Sequence, residues 1–211
     1  VEYVNKLEKS ERPPFIIWPD HCLVGTWGHA VVDSVNEALQ EWAGHTRTTV
    51  EYILKGDSIY TEMYSALSAE VPNPNDLSTE LDLRMIERLK QADRVLVCGQ
   101  SLSHTVQMTM KDIANNWEKD DIGKLFLLTD CSSPVPGFES MAETFVKEMK
   151  EKGVKCVGAG EAFDFSAEDA LAGNEEGEVD EVDAAAQFLS KSHRLASKVK
   201  DAVKHRHEEE E

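Results

Sequence analysis

Chemistry concentrates in residues 94–113. An apolar, β-branched run from Val95 to Val97 ends at Gly99, polar residues follow, and then Val106, Met110 and Ile113 recur at helical spacing. That is a strand, a sharp turn and a helix, and in open α/β sheets ligands bind just beyond the carboxyl ends of strands. Thr105 stands where a nucleophile is expected. It is a poor one: a hydroxyl has a far higher pKa than a thiol, and threonine nucleophiles use an adjacent base, usually the chain's own terminal amine, whereas Thr105 is internal. Cys98 lies seven residues earlier, inside the strand, and cannot take its place. A second candidate stretch is the loop Asp20 to His29, with two Gly and two His. Trp18, Trp27 and the segment from Tyr60 to Tyr64 supply aromatic rings for a pocket near the turn's His104, or for core packing.

The elements that must position these residues follow from apolar periodicity. The opening residues, with Val1, Val4 and Leu7 on one face, read as the last turns of a helix, stopped by Pro13 and Pro14. Phe15 to Trp18 reads as a short buried strand ended by Pro19. Residues 30–43 read as a helix with Gly44 as its C-cap. Thr48 to Leu54 alternates as a strand does, ending at Lys55-Gly56. Pro72 to Asp76 is a turn cluster, and Ser78 is placed to cap a helix carrying Leu81, Ile86 and Leu89. After the central unit come a strand at 124–130, a Pro- and Gly-bearing loop, a helix marked by Met141, Phe145 and Met149 and closed by Gly153, and a last strand at 154–158. Strands alternating with helices predict an α/β fold: a mostly parallel sheet with helices on both faces.

The 211 residues suffice for one domain with a sizeable core, and 41% hydrophobic with 29% charged residues is globular composition. Apolar runs are only a few residues long, so no transmembrane helix is expected. The chain opens on Val1 in a charged amphipathic stretch, which reads as a processed or internal start and not as a secretory signal. A net charge of −18 argues against a nucleic-acid partner. Four Cys (Cys22, Cys98, Cys131, Cys156) form no Cys-x-x-Cys pair; Cys98 and Cys156 read as small buried hydrophobes, and the expected setting is an intracellular, reducing compartment. Three regions are expected: a domain over 1–165, an acidic linker over 166–183 with eight carboxylates and no Lys or Arg, and a tail over 184–211. The tail opens with an amphipathic helix at 184–204, striped by Phe188, Leu195, Val199 and Val203, that docks on its own domain or is presented to a partner.

Three stretches resemble one family in order and spacing. Ile17 to Thr26 resembles the Trp-Pro-x-His-Cys-x-x-Gly-Thr loop of nicotinamidases and other isochorismatase-like cysteine hydrolases. Lys55-Gly56 with Tyr64-Ser65-Ala66 resembles their Lys-Gly…Tyr-Ser segment, and Gly99 to Val106 resembles their nucleophile turn; the likeness covers roughly residues 15–160 and looks most like the larger nicotinamidase-like members. It implies an isochorismatase-like, Rossmann-type three-layer fold and amide hydrolysis. In that chemistry a Lys and an Asp flank a Cys that attacks an amide carbon, backbone N–H groups hold the oxyanion, and a metal binds the pyridine nitrogen of the substrate.

Carried over by position, the resemblance makes Lys55 the catalytic lysine, places the oxyanion-hole amides at Ser101 and Thr105, and makes His21 a metal ligand. A divalent metal such as Zn is implied only if the missing ligands are supplied. Two departures count against catalysis: Thr105 replaces the Cys, and the family's first strands, with the catalytic Asp, have no counterpart in these residues. Because the first strand is central in that fold, a protein partner or an N-terminal polypeptide is expected to supply it, in an oligomer or hetero-assembly. The expected function is a catalytically degenerate, structural or binding subunit. The alternatives are an active amidohydrolase on a nicotinamide-like carboxamide, with the Asp supplied elsewhere, and a metabolite-binding module.

Overall fold

A computed structural model describes residues 2–10, 12 and 14–162. The expected linker at 166–183 and helix at 184–204 lie outside the described residues. The elements in order are α1 (Glu2–Leu7), α2 (Asp33–Thr46), α3 (Leu83–Lys90), β1 (Val95–Gln100), α4 (Thr105–Asn116), α5 (Lys119–Ile122), β2 (Leu125–Ser133), α6 (Glu139–Lys152), β3 (Lys155–Val157) and α7 (Ala159–Ala162). Short 3-10 turns sit at Trp27–His29 and Leu77–Thr79.

The strands form one parallel sheet in the order β1-β2-β3. Val95, Leu96 and Val97 pair with Leu125, Phe126 and Leu127, and the register slips between Val97 and Gly99. The slip coincides with Gly99 at φ +119°, a conformation that favours glycine. Side chains alternate across the sheet. Val95, Leu125 and Leu127 enter the main core with Val106, Met110 and Ile113 of α4, Phe145 and Met149 of α6, and Ile86 of α3. Leu96, Cys98, Phe126, Leu128 and Val157 face the other way, with Ala159 and Ala162 of α7.

The three strands at 95–100, 125–133 and 155–157 agree with the periodicity, and so does Gly153, left-handed at φ +98° at the end of α6. Two expected strands are corrected. Phe15 to Trp18 has no ladder and Ile17 is 84% exposed. Pro14 and Pro19 lack the N–H a ladder needs. Thr48 to Leu54 likewise pairs with no strand among the described residues, and Tyr52 and Leu54 are exposed. A strand is made by its neighbour, and neither segment has one. Two helix ends also move. α2 runs through Gly44 to Thr46 and closes on Arg47, left-handed at φ 53°. α3 is capped by Asp82, whose carboxylate accepts from the amides of Arg84 and Met85, while Ser78 lies in a 3-10 turn. Cys98 and Cys156 are half-buried, and the fully buried thiol is Cys131. No described helix is long and apolar enough to cross a membrane.

Candidate functional site

The strand–turn–helix unit is held by its own polar groups. Beyond β1, the Leu102 amide donates to Ser133 O (2.7 Å) and the Val106 amide to Ser101 O (3.0 Å), so the turn is stitched to β2 and to the first turn of α4. The Gln100–Ser101 peptide is cis. Thr105 lies at the start of α4 with its hydroxyl doubly engaged: Oγ1 accepts from the Ser101 amide at 2.7 Å and donates to Gln100 O at 3.0 Å. The Ser101 N–H therefore has an acceptor already in the turn. The Thr105 proton rests on a carbonyl, which is no base. Thr109 Oγ1 ties the helix on, donating to Thr105 O (2.8 Å) and accepting from the Ala66 amide (2.9 Å).

His104 is 2% exposed. Its Nδ1 is 2.9 Å from Ser103 Oγ, which itself accepts from the Val135 amide at 3.0 Å. Burial lowers the His104 pKa, so the ring is neutral at pH 7. Three rings enclose it: Phe138 at 4.8 Å between centroids, Trp18 at 5.2 Å and Tyr64 at 5.3 Å. Trp18 Nε1 donates to Tyr64 Oη at 2.7 Å and closes the ring of aromatics. His104 Nε2 is buried without a hydrogen-bond partner. Of the residues expected in an aromatic pocket, Trp18, Tyr64 and His104 come together here. Trp27 (90% exposed) and Tyr60 (72% exposed) stand apart on the surface. Phe138 completes the cluster in their stead; it sits just after the Pro-Val-Pro-Gly turn at the end of β2, where only a three-dimensional return could bring it to His104.

Lys55 is exposed along its stem, but its ammonium turns inward and donates to Met63 O at 2.9 Å, not to the Thr105 turn. Desolvation lowers its pKa, and the nearby Cys22 and Glu70 oppose that shift. Glu70 is a residue that sequence reasoning missed. Its side chain is fully buried, one oxygen accepts from the Tyr64 amide (3.2 Å), and burial raises its pKa against the pull of Arg12. Arg12 Nη1 stands 3.9 Å from Glu70, while Arg12 Nη2 donates to Asp112 on α4 at 2.7 Å; Ser68 Oγ donates to the same carboxylate at 2.6 Å. A line of charges thus runs from Lys55 through Glu70 and Arg12 to Asp112, linking the segments flanking α2 to α4.

His21 is exposed, its Nδ1 2.6 Å from Pro19 O. Among the described residues no three His, Cys, Asp or Glu side chains are grouped to hold a metal ion, so these residues by themselves do not fit one. A groove of about 720 Å³ runs along α6, lined by Leu102, Pro134 and Val146 among others, and apart from the His104 cage.

No protein-family model matches the chain, and no curated protein matches it in sequence. Solved structures do. The crystal structure of the yeast nicotinamidase Pnc1p bound to the inhibitor nicotinaldehyde superposes with a TM-score of 0.50 at 21% identity, over 68% of this chain and 59% of that one. A second structure of Pnc1p gives 0.49 at 22% identity, over 67% and 58%. The chain thus spans 59% of the nicotinamidase it matches, and the match is one of fold. Over the matched residues the chain shares the α/β fold of the yeast nicotinamidase Pnc1p.

Proposed function

We propose that this chain is a catalytically degenerate member of the nicotinamidase-like group, retained as a structural or binding subunit. The observation that carries the reading is the Thr105 hydroxyl, which donates to Gln100 O and accepts from the Ser101 amide. In amide hydrolysis at this turn a deprotonated nucleophile attacks and the Ser101 amide receives the oxyanion. Here one side chain occupies both roles as a brace. The direct test measures ammonia release from nicotinamide by the full chain and by Thr105→Val. Equal background rates support a bracing role, and a rate lost in Thr105→Val overturns it.

The degenerate subunit works within an assembly. β1 is the outer strand of a parallel sheet, and Leu96, Val97 and Cys98 on it are only half-buried. Thr48 to Leu54, strand-like in sequence, also pairs with no strand among the described residues, and its Glu51 is ion-paired to Arg88 of α3. Interior parallel strands are covered on both edges. The reading is that another polypeptide segment, upstream or in a second chain, pairs with the open edge of β1. Native mass spectrometry of the protein as isolated checks this: a second polypeptide or a larger complex is expected, and a stable monomer with no further chain refutes it.

One observation favours the alternative of an active amidohydrolase. The Lys55 ammonium has a lowered pKa and a buried carboxylate, Glu70, close enough to act on it. In that reading the nucleophile or the Asp comes from another segment, and a Zn site needs companions for His21. Its signature is an amidase activity abolished in Lys55→Ala and dependent on the second chain.

A further inference from the structure

The two faces of the sheet are unequally covered. The face with Val95, Leu125 and Leu127 carries α3, α4 and α6. On the opposite face Phe126, Leu128 and Cys131 are buried, Leu96, Cys98 and Val157 are only half-buried, and the described cover is Ala159 and Ala162 of α7. The cationic ends of Arg94 and Lys155 lie over one of these rings, Phe126. A parallel sheet requires helices on both faces. A helix is about 10 Å across and adjacent strands about 4.8 Å apart, so α7 is too short to protect three strands and one long helix suffices.

We propose that residues 184–204 of this same chain pack as a helix across the second face, over Leu96, Cys98 and Val157. Three features select this occupant. The first is where the described chain stops: α7 ends at Ala162, which is 1% exposed and already on that face. The second is length. The 21 residues 163–183 separate α7 from that segment, and a coil of that length spans about 23–27 Å, ample to return across a three-stranded sheet. The segment 184–204, as a helix, is about 30 Å long, close to the span of the nine-residue β2. The third is pattern and charge. Phe188, Leu195, Val199 and Val203 form one apolar stripe, while five basic residues and a single Asp give the segment a charge of +4. The chain as a whole is −18, so the remainder is strongly acidic and attracts it.

Cysteine labelling tests the proposal, because the four thiols report on different places. Cys22 is exposed, Cys98 and the fully buried Cys131 lie on the second face, and Cys156 packs against the main core. The full chain is treated with a small maleimide and each site is followed by mass spectrometry. Cys22 is expected to react fast and Cys98 slowly. In Leu195→Asp/Val199→Asp, Cys98 should react about tenfold faster or more, with Cys156, on the main-core side, unchanged. An unchanged Cys98 rate overturns the proposal, as does protection of Cys98 that depends on protein concentration, which would mean a second copy covers the face. If the double variant exposes Cys156 and so has lost its fold, a second measurement decides: a short thiol cross-linker on the full chain carrying Leu195→Cys and Cys22→Ser. A link within one chain from Cys98 to position 195 supports the proposal. A link between chains, or none, refutes it.

Discussion

Arg12→Met is the substitution that interrogates the architecture most deeply. Arg12 lies far from α4 in sequence, yet Nη2 donates to Asp112 at 2.7 Å and to Ser68 Oγ at 3.2 Å, and Nη1 is 3.9 Å from Glu70. The Asp112 and Glu70 side chains are 7% and 0% exposed, that of Arg12 23%. Methionine keeps length and packing while deleting the charge. Two carboxylates then face each other with only Ser68 Oγ on Asp112 and the Tyr64 amide on Glu70. Removing one partner of a buried ion pair costs about 3–5 kcal/mol, and the partial solvent access of Arg12 puts this case near about 3 kcal/mol. Asp112→Asn leaves Arg12 facing Glu70 and should cost less. The double variant should show a coupling of about 1–2 kcal/mol, since the residues share one network. Urea unfolding followed by the fluorescence of Trp117, which is 6% exposed at the end of α4, measures all three. A loss below about 0.5 kcal/mol in Arg12→Met, or additive single losses, would refute the idea that this network clamps the N-terminal segment to α4.

Other outcomes follow from the same physics. Glu70 has its pKa raised in the folded state, so its contribution is fully present below the ordinary value of 4.5 and is lost as pH rises through the folded value; Glu70→Gln should therefore gain on the parent chain as pH climbs from 4 to 8, read from urea midpoints. His104 has its pKa lowered, so stability present above 6.5 falls away as pH drops through the folded value; nitrogen NMR of the imidazole should show a neutral ring at pH 6.5, and a half-protonated one would contradict the buried cage. Arg47→Gly relieves a left-handed, non-glycine helix end and should add about 1 kcal/mol in thermal unfolding. Leu127→Ala removes a fully buried side chain between β1 and β3 and should cost about 2–5 kcal/mol by the same assay.

What could be read in advance, and what could not, divides by the range of the forces involved. Val95 to Val97 and Leu125 to Leu128 are apolar on both faces, and the helices after them repeat every three to four residues, so β1, α4, β2, α6 and β3 were legible from local pattern. Phe15 to Trp18 and Thr48 to Leu54 have the composition of strands but no neighbour to pair with, and ladder formation depends on the neighbour. Gly44 is the natural helix stop, yet α2 passes through it and closes three residues later on Arg47. At the site, Trp18, Tyr64 and His104 were legible. Phe138, Glu70 and the Arg12–Asp112 pair, a hundred residues apart, carry no local signature and were not. The bracing hydrogen bonds of Thr105 depend on the path of the turn, which no residue type announces.

The central claim is that Thr105 braces the turn and does not attack. Peptide-mapped mass spectrometry of the full chain, quenched in acid during incubation with nicotinamide, tests it most directly. An acyl group on Thr105 is the obligatory intermediate of attack by its hydroxyl. The account predicts an unmodified peptide bearing Thr105 at every time point. A nicotinoyl ester on Thr105 that forms with ammonia release and disappears in Lys55→Ala would contradict it and make the chain a threonine-dependent amidohydrolase.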